Sequence, residues 1–174
     1  MLDEPARRRL DDLAQRHPRF KTVLQFRSEL KQLWEGAHTS NEPGYLDEVV
    51  AKFRTGQATE HSYRPALQRL FESIDPALTV INEPKRSDAG MPDFIFQRKD
   101  VPVGWVEAKA VDKDVIKLKG YSREQRKRYE AAFPNLIYTN GVDFEFIREG
   151  EPLHFVSIAD FVMGLQPNPE RFDE

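Results

Sequence analysis

The sequence predicts an α/β fold in which helices flank a mixed β-sheet, together with a helical N-terminal region. Two observations lead to this prediction. After residue 58, short apolar runs of strand length alternate with amphipathic runs of helical spacing, and this order favours a sheet with helices on its faces. Before residue 58, the apolar residues recur at helical spacing only. We therefore expect a helical region over 1–57, an α/β domain over 58–165 and a linker-like tail over 166–174.

Three helices are expected in the N-terminal region, over about 2–14, 20–34 and 45–53. Leu46, Val49 and Phe53 form the apolar face of the third helix, and Gly56 is placed to end it. No residue of this region suggests chemistry, so we expect it to brace the domain or to contact another one.

The α/β domain is expected to begin with a helix over about 63–73, with Pro65 in its first turn, where a missing N–H is tolerated. A second helix is expected over 122–132, with Ser122 as its N-cap. Asn140-Gly141 predicts a tight hairpin. Strands are expected over 78–82, 93–97, 103–110, 136–139, 143–148 and 154–157, with a short helix over 158–165. The strands on either side of the second helix should run parallel, joined by a right-handed crossover.

Composition narrows the classes of protein that fit. The chain has 174 residues, of which 39% are hydrophobic and 11% aromatic, enough for a packed core. It has no cysteine, which excludes disulfide bonds and thiolate metal ligands. No apolar run approaches the roughly 20 residues that span a bilayer, and no apolar signal segment follows the first charges. We therefore expect a protein of a reducing cytosol.

Acidic residues stand where two neighbouring strands would bring them together. If the second and third strands form a hairpin about Asp100, Asp93 lies opposite Glu107, Ile95 opposite Trp105 and Gln97 opposite Val103. Because side chains alternate along a strand, Lys109 shares a face with Glu107. The sequence therefore predicts two carboxylates and an ammonium on one surface, a set that suits a hard divalent cation and an attacking water molecule.

The motif Pro92-Asp93 followed by Glu107-Ala108-Lys109 resembles that of the PD-(D/E)xK, or restriction-endonuclease-like, nucleases. The resemblance runs from about Thr59 to Gly150 and includes three further segments. These are the run of nine residues that begins at Thr59, Asn82-Glu83-Pro84-Lys85-Arg86, and Gln125-x-x-x-Tyr129. In this order they resemble the N-terminal nuclease domain of type ISP and type IIG restriction-modification enzymes that also contain an adenine methyltransferase.

This resemblance implies a metal-dependent DNA endonuclease with Mg²⁺, for which Mn²⁺ would substitute. It implies Asp93, Glu107, the main-chain carbonyl of Ala108 and Glu60 as metal ligands. Lys109 would orient or deprotonate the attacking water or stabilise charge at the phosphorus, and a salt bridge to the same acids is a compatible role. Gln125 and Tyr129, four residues apart on one helix face, would position Lys109 or contact a phosphate, or else form an ordinary polar face.

Basic residues cluster between Lys109 and Arg128, where eight bases face three acids although the whole chain has a net charge of −3. A basic stripe beside a carboxylate cluster suits the DNA backbone, and a solvated helix face is the simpler alternative. The loop before Gly90 offers two further cations, with the same alternative. The candidate DNA-binding residues are Lys85, Arg86, Lys113, Lys117, Lys119, Arg123, Arg126 and Lys127.

The sequence thus predicts the cleavage module of a larger restriction-modification enzyme in a prokaryotic cytoplasm, acting on double-stranded DNA. Methyltransferase, target-recognition and possibly translocase domains would lie on the same polypeptide or on a partner, because this sequence has no phosphate-binding loop of a motor and no methyltransferase motif. The alternative is a catalytically silent nuclease-fold module for nucleic-acid binding or assembly. The intact set of Asp93, Glu107 and Lys109 favours the enzyme.

Overall fold

The computed structural model describes residues 44–161 and 165–167, with side chains as far as residue 159. The helices expected over 2–14 and 20–34 and the tail after residue 167 lie outside these residues. The helices are α1 (Tyr45–Arg54), α2 (Glu60–Ile74) and α3 (Gly120–Ala132). The strands are β1 (Thr79–Asn82), β2 (Phe94–Arg98), β3 (Val101–Ala108), β4 (Asn135–Thr139), β5 (Asp143–Arg148), β6 (Glu151–Ser157), β7 (Ala159–Phe161) and β8 (Leu165–Pro167).

Six strands form one mixed sheet in the order β1-β2-β3-β4-β5-β6. Neighbouring strands are antiparallel except β3 and β4, which run parallel and are joined through α3. Parallel neighbours need such a crossover, because the chain must return to the end of the sheet where the first of the two strands began. The predicted α/β fold, with its mixed sheet and flanking helices, is confirmed. So is the hairpin at Asn140-Gly141, where the Asn140 side chain accepts bonds from the main chain of Val142 and Asp143.

The β2–β3 hairpin fixes the register of the acidic residues. Ile95 pairs with Trp105 as predicted. The expected pairing of Gln97 with Val103 is wrong, because a β-bulge after Phe96 shifts the register and pairs Gln97 with Pro102. The cause is the turn, in which Lys99 and Asp100 both adopt positive φ, as a two-residue hairpin turn requires. A two-residue turn pairs Arg98 with Val101, and the bulge restores the register that the rest of the hairpin needs.

Each face of the sheet carries its own apolar cluster. On one face, Phe71 of α2 packs edge-on against Phe94 and Phe96, with ring centroids 5.7 and 5.0 Å away. On the other face, Phe133, directly after α3, stacks on Trp105 at 4.9 Å. Successive residues of β3 therefore point to opposite faces of the sheet: Trp105 to the α3 side and Val106 to the α2 side. Glu107, which follows it, consequently points towards α3.

Three sequence predictions about helices are wrong. Helix α2 begins at Glu60, so Pro65 lies in its second turn; Ser62 accepts a 3.0 Å bond from the main chain of Thr59 and so starts the helix earlier. Helix α3 begins at Gly120 after Lys119, so Ser122 lies inside it and is not the N-cap. Residues 159–161, expected in a helix over 158–165, form strand β7, since an apolar run of this kind suits either element and β8 supplies a pairing partner. Residues 162–164 lie outside the described part of the chain. Residues 166–167, expected in a linker-like tail, belong to β8.

Arg126 joins α3 to the sheet. Its guanidinium donates two hydrogen bonds to Glu145 of β5, at 2.7 and 3.0 Å, and one to Glu130 at 2.6 Å. A further bond reaches the carbonyl of Val115 at 2.8 Å, and the guanidinium carbon lies 5.2 Å from the ring centroid of Tyr138. The side chain is only 12% exposed, so the sequence prediction of a DNA-binding Arg126 is replaced by a structural role.

No helix in the described part of the chain is long and apolar enough to cross a bilayer.

We expect Arg126→Ala to lower the free energy of unfolding by about 3–5 kcal/mol, because it leaves the carboxylate of Glu145 buried without a counter-charge. The neighbouring Lys127→Ala is the matched control and should change stability by less than about 0.5 kcal/mol, since that side chain is 59% exposed. Urea unfolding of both variants gives the comparison. Equal effects at the two positions would show that the buried ion pair contributes nothing. Adding Glu145→Gln to Arg126→Ala should recover part of the loss.

Candidate active site

The predicted acidic residues meet at one edge of the sheet, where β2 begins and β3 ends. Asp93 immediately precedes β2, and Glu107 is the penultimate residue of β3. Both are buried, with 7% and 4% of their surfaces exposed. The first turns of α2 approach this edge from one side and α3 from the other. The structure therefore brings together the carboxylates that the hairpin register predicts.

Asp93 is held by both of its carboxylate oxygens. Oδ2 accepts a 2.7 Å hydrogen bond from the main chain of Ala108, and Oδ1 accepts one from the guanidinium of Arg64. Burial raises the pKa of Asp93, while the Ala108 N–H and Arg64 oppose the increase. A residue at the start of one strand is thus fixed to the end of the next strand through its side chain.

The two carboxylate oxygens of Glu107 differ in their contacts. Lys109 Nζ lies 2.5 Å from Oε1, and the two side chains are only 12% and 5% exposed. Oε2 is buried and accepts no hydrogen bond from any residue that the structure describes. Burial, followed by repulsion from Asp93, raises the pKa of Glu107 to about 7, against the attraction of Lys109. A buried carboxylate oxygen without a donor is costly, and a bound cation is one way to satisfy it.

Lys109 is also connected to α3. Its Nζ donates to Gln125 Oε1 at 3.2 Å, and Gln125 Nε2 lies 3.4 Å from the hydroxyl of Tyr129. Gly90 makes room for this tyrosine, because a Cβ added there would lie 2.9 Å from the Tyr129 ring. The predicted set of Lys109, Gln125 and Tyr129 therefore forms one continuous chain beside the acids. Burial, followed by the charge of Glu107, raises the pKa of Tyr129.

Arg64 is a member of the site that sequence reasoning missed. Its side chain is 7% exposed, and it donates to Glu83 at 2.7 Å, to Glu60 at 3.3 Å and to Asp93. Its position four residues after Glu60 on a helix was a signal for the pair with Glu60. The contacts with Glu83 and Asp93 span 19 and 29 residues and depend on the tertiary fold.

Asp93 and Glu107 are the two predicted ligands that remain candidates for holding a metal ion. Among residues 44–159, no group of three or more His, Asp or Glu side chains has an arrangement able to hold one. Glu60, expected as a ligand, instead contacts Arg64. Asp93 and the unpartnered oxygen of Glu107 nevertheless fit Mg²⁺, which is commonly bound through one or two carboxylates while it keeps several waters.

Seven of the eight candidate DNA-binding residues are exposed and remain candidates. The eighth, Arg126, is paired with Glu145 and is no longer a candidate. Lys85 and Arg86 lie in the loop between β1 and β2, and Lys113 lies in the loop between β3 and α3. These two loops adjoin Asp93 and Lys109 along the chain. The exposed members are Lys85, Arg86, Lys113, Lys117, Lys119, Arg123 and Lys127.

Comparison with solved structures finds a similar chain in a cryoEM structure of a DrdV–DNA complex. The two chains share 23% sequence identity, with a TM-score of 0.50, over 65% of this chain and 80% of that one. No protein-family model matches this sequence, and no curated protein matches it. The likeness to the DrdV chain concerns the fold, and the mixed six-stranded sheet with flanking helices is consistent with a restriction-endonuclease-like architecture.

The raised pKa of Glu107 predicts how stability depends on pH without metal. Between its unfolded value near 4.5 and its folded value of about 7, the folded chain keeps a proton that the unfolded chain has released. The contribution of Glu107 is therefore most favourable below pH 4.5 and is lost as the pH rises through 7. In wild type, this effect should lower the free energy of unfolding by about 2–3 kcal/mol between pH 4.5 and pH 8. We expect Glu107→Gln to abolish that decrease.

Urea unfolding in a chelator-containing buffer at pH 4.5 and pH 8 measures this effect. Relative to wild type, Glu107→Gln should gain stability at pH 8, whereas Glu124→Gln, at a side chain that is 62% exposed, should change nothing. A constant difference between Glu107→Gln and wild type at both pH values would contradict the raised pKa.

Proposed function

We propose that this chain is a metal-dependent endonuclease domain that hydrolyses phosphodiester bonds of double-stranded DNA. The observation that carries the proposal is the buried pair of Asp93 and Glu107 beside Lys109. One carboxylate oxygen of Glu107 has no hydrogen-bond partner among residues 44–159. Buried acids with raised pKa values in contact with a lysine are typical of functional sites. The similarity of fold to a chain of a DrdV–DNA complex supports DNA as the substrate.

The ligands in this proposal are Asp93, Glu107 and the main-chain carbonyl of Ala108, with Mg²⁺ as the ion and Mn²⁺ as its substitute. A bound divalent cation would lower the pKa of a coordinated water and neutralise charge on the phosphate. Glu60 is proposed to act on this group indirectly, because Arg64 contacts both Glu60 and Asp93.

Lys109 is proposed to orient the attacking water or to donate a hydrogen bond to the phosphate. Its ammonium lies between the Glu107 carboxylate and the Gln125 amide oxygen, at 2.5 and 3.2 Å. Two acceptors fix its direction, and when a substrate phosphate enters, the ammonium is placed to donate to it or to orient the attacking water. Gln125 and Tyr129 are positioning residues in this scheme, since they reach the acids only through Lys109.

The seven exposed bases, on the two loops next to the acids and on α3, are proposed to hold the DNA backbone. We further propose that the domain belongs to a larger restriction-modification system of a prokaryotic cytoplasm. Methyltransferase, target-recognition and possibly translocase functions would then lie elsewhere on the polypeptide or on a partner. Sequence specificity would come from those parts.

Calorimetric titration with Mn²⁺ at pH 8 tests the site. Wild type should bind the ion, Glu107→Ala should lose at least tenfold in affinity, and Lys109→Ala should keep near-normal affinity while losing plasmid cleavage. The control is Lys99→Ala, which removes a lysine from the β2–β3 turn at the opposite end of the same hairpin. Loss of metal binding in Lys109→Ala would assign the lysine a structural role. Absence of binding by wild type would favour the silent module.

The exposed bases predict the salt dependence of DNA affinity. A Lys117→Ala and Arg123→Ala double variant should bind duplex DNA more weakly and reduce the slope of log K against log salt by about 1 for each phosphate contact removed. Fluorescence anisotropy with a labelled duplex at several salt concentrations measures the slope. Lys99→Ala serves again as the control. An unchanged slope in the double variant would show that these residues form an ordinary solvated surface and do not contact DNA.

A further inference from the structure

Arg64 places a positive charge between acidic side chains. Without that charge, these acids would attract a metal ion. The Nη2 of Arg64 contacts both Glu60 and Asp93, and its Nη1 contacts Glu83. The guanidinium is buried, and within the described part of the chain its Nε has no hydrogen-bond partner, so the side chain is held here at a cost. The contact with the three carboxylates offsets that cost. Two of the three acids, Glu60 and Asp93, are ones that the sequence suggests as metal ligands.

The backbone conformation of Glu83 also holds this residue in contact with Arg64. Glu83 has a φ of 51°, in the left-handed region that non-glycine residues rarely adopt. Its main-chain N–H donates to the carbonyl of Asp93 at 2.8 Å, while its carboxylate reaches Arg64. Such outliers persist where the surrounding structure fixes them. The turn after β1 therefore holds a third acid against the guanidinium.

The charges of the cluster follow from these contacts. Four carboxylates meet two cations: Glu60, Glu83, Asp93 and Glu107 against Arg64 and Lys109. When all six groups are ionised the cluster has two negative charges, which one divalent cation neutralises. Two divalent cations would leave it positive. Without the guanidinium, the space between Glu60 and Asp93 would be open, and the cluster would have three negative charges.

We infer that Arg64 takes the place of a second metal ion and so restricts the site to one divalent cation. This inference rests on the proposed function, because it needs a metal at Asp93 and Glu107. Sites with two metal ions hold them about 3.5–4 Å apart through shared carboxylates, and a guanidinium that grips one of the two carboxylates prevents that sharing. Arg64 is a positioning residue in this account: it sets how Asp93 is presented and contacts no reacting atom.

Titration of the full chain with Mn²⁺ at pH 8, followed by calorimetry and by electron paramagnetic resonance, tests the inference. Wild type should bind one ion and give the spectrum of an isolated Mn²⁺. Arg64→Gln should bind two, with the broadening that two coupled ions produce. Arg64→Lys keeps the positive charge and should stay at one ion. A merely structural role for the arginine predicts one ion in Arg64→Gln as well.

Arg64→Gln leaves three acids without their counter-charge and risks misfolding. The double variant Arg64→Gln with Glu83→Gln removes one of those acids and should also bind two ions, because the space between Glu60 and Asp93 is open in both variants. Circular dichroism establishes that each variant is folded.

The outcomes separate the two proposals. Two ions in wild type, or one ion in folded Arg64→Gln and in the double variant, would overturn the role of Arg64 while the endonuclease proposal stands. No Mn²⁺ bound by wild type would overturn both.

Discussion

The burial of two carboxylates at one edge of a β-sheet is the constraint on which the other features of this structure depend. Asp93 and Glu107 are almost fully buried, and a carboxylate in such a place needs a counter-charge and hydrogen-bond donors. Arg64 supplies both to Asp93, and Lys109 supplies a counter-charge to Glu107. Helix α2 must therefore lie with its first turns against this edge. Helix α3 must do so too, because Gln125 steadies the lysine.

The site keeps several features that a stable core would not contain. They include the oxygen of Glu107 without a donor, the left-handed backbone of Glu83 and the pKa of Glu107 near 7. Each lowers the stability of the folded chain, and all lie within one cluster. Such concentrations of strain and desolvation are expected where a protein trades stability for chemistry. The two apolar clusters on the faces of the sheet supply the stability that offsets them.

Helix α3 divides its basic residues between two tasks. Arg126 turns inward and joins the helix to Glu145 of β5, whereas Arg123 and Lys127 face solvent. The inward arginine fixes the helix that presents Gln125 and Tyr129 to the site. The outward bases are available to a polyanion. A count of charges along the sequence cannot separate these tasks, because the buried carboxylate that claims Arg126 lies 19 residues away.

The sequence by itself determined the α/β fold and the shared face of Asp93, Glu107 and Lys109, because side chains alternate along strands and a short hairpin aligns neighbours. It did not determine the bulge after Phe96, the early start of α2 or the strand over 159–161, since each depends on the partner that the segment meets. The tertiary structure alone decided the roles of Arg64 and Arg126. A long basic side chain reaches in any direction from its helix, and only the packed chain establishes whether it meets buried carboxylates or solvent.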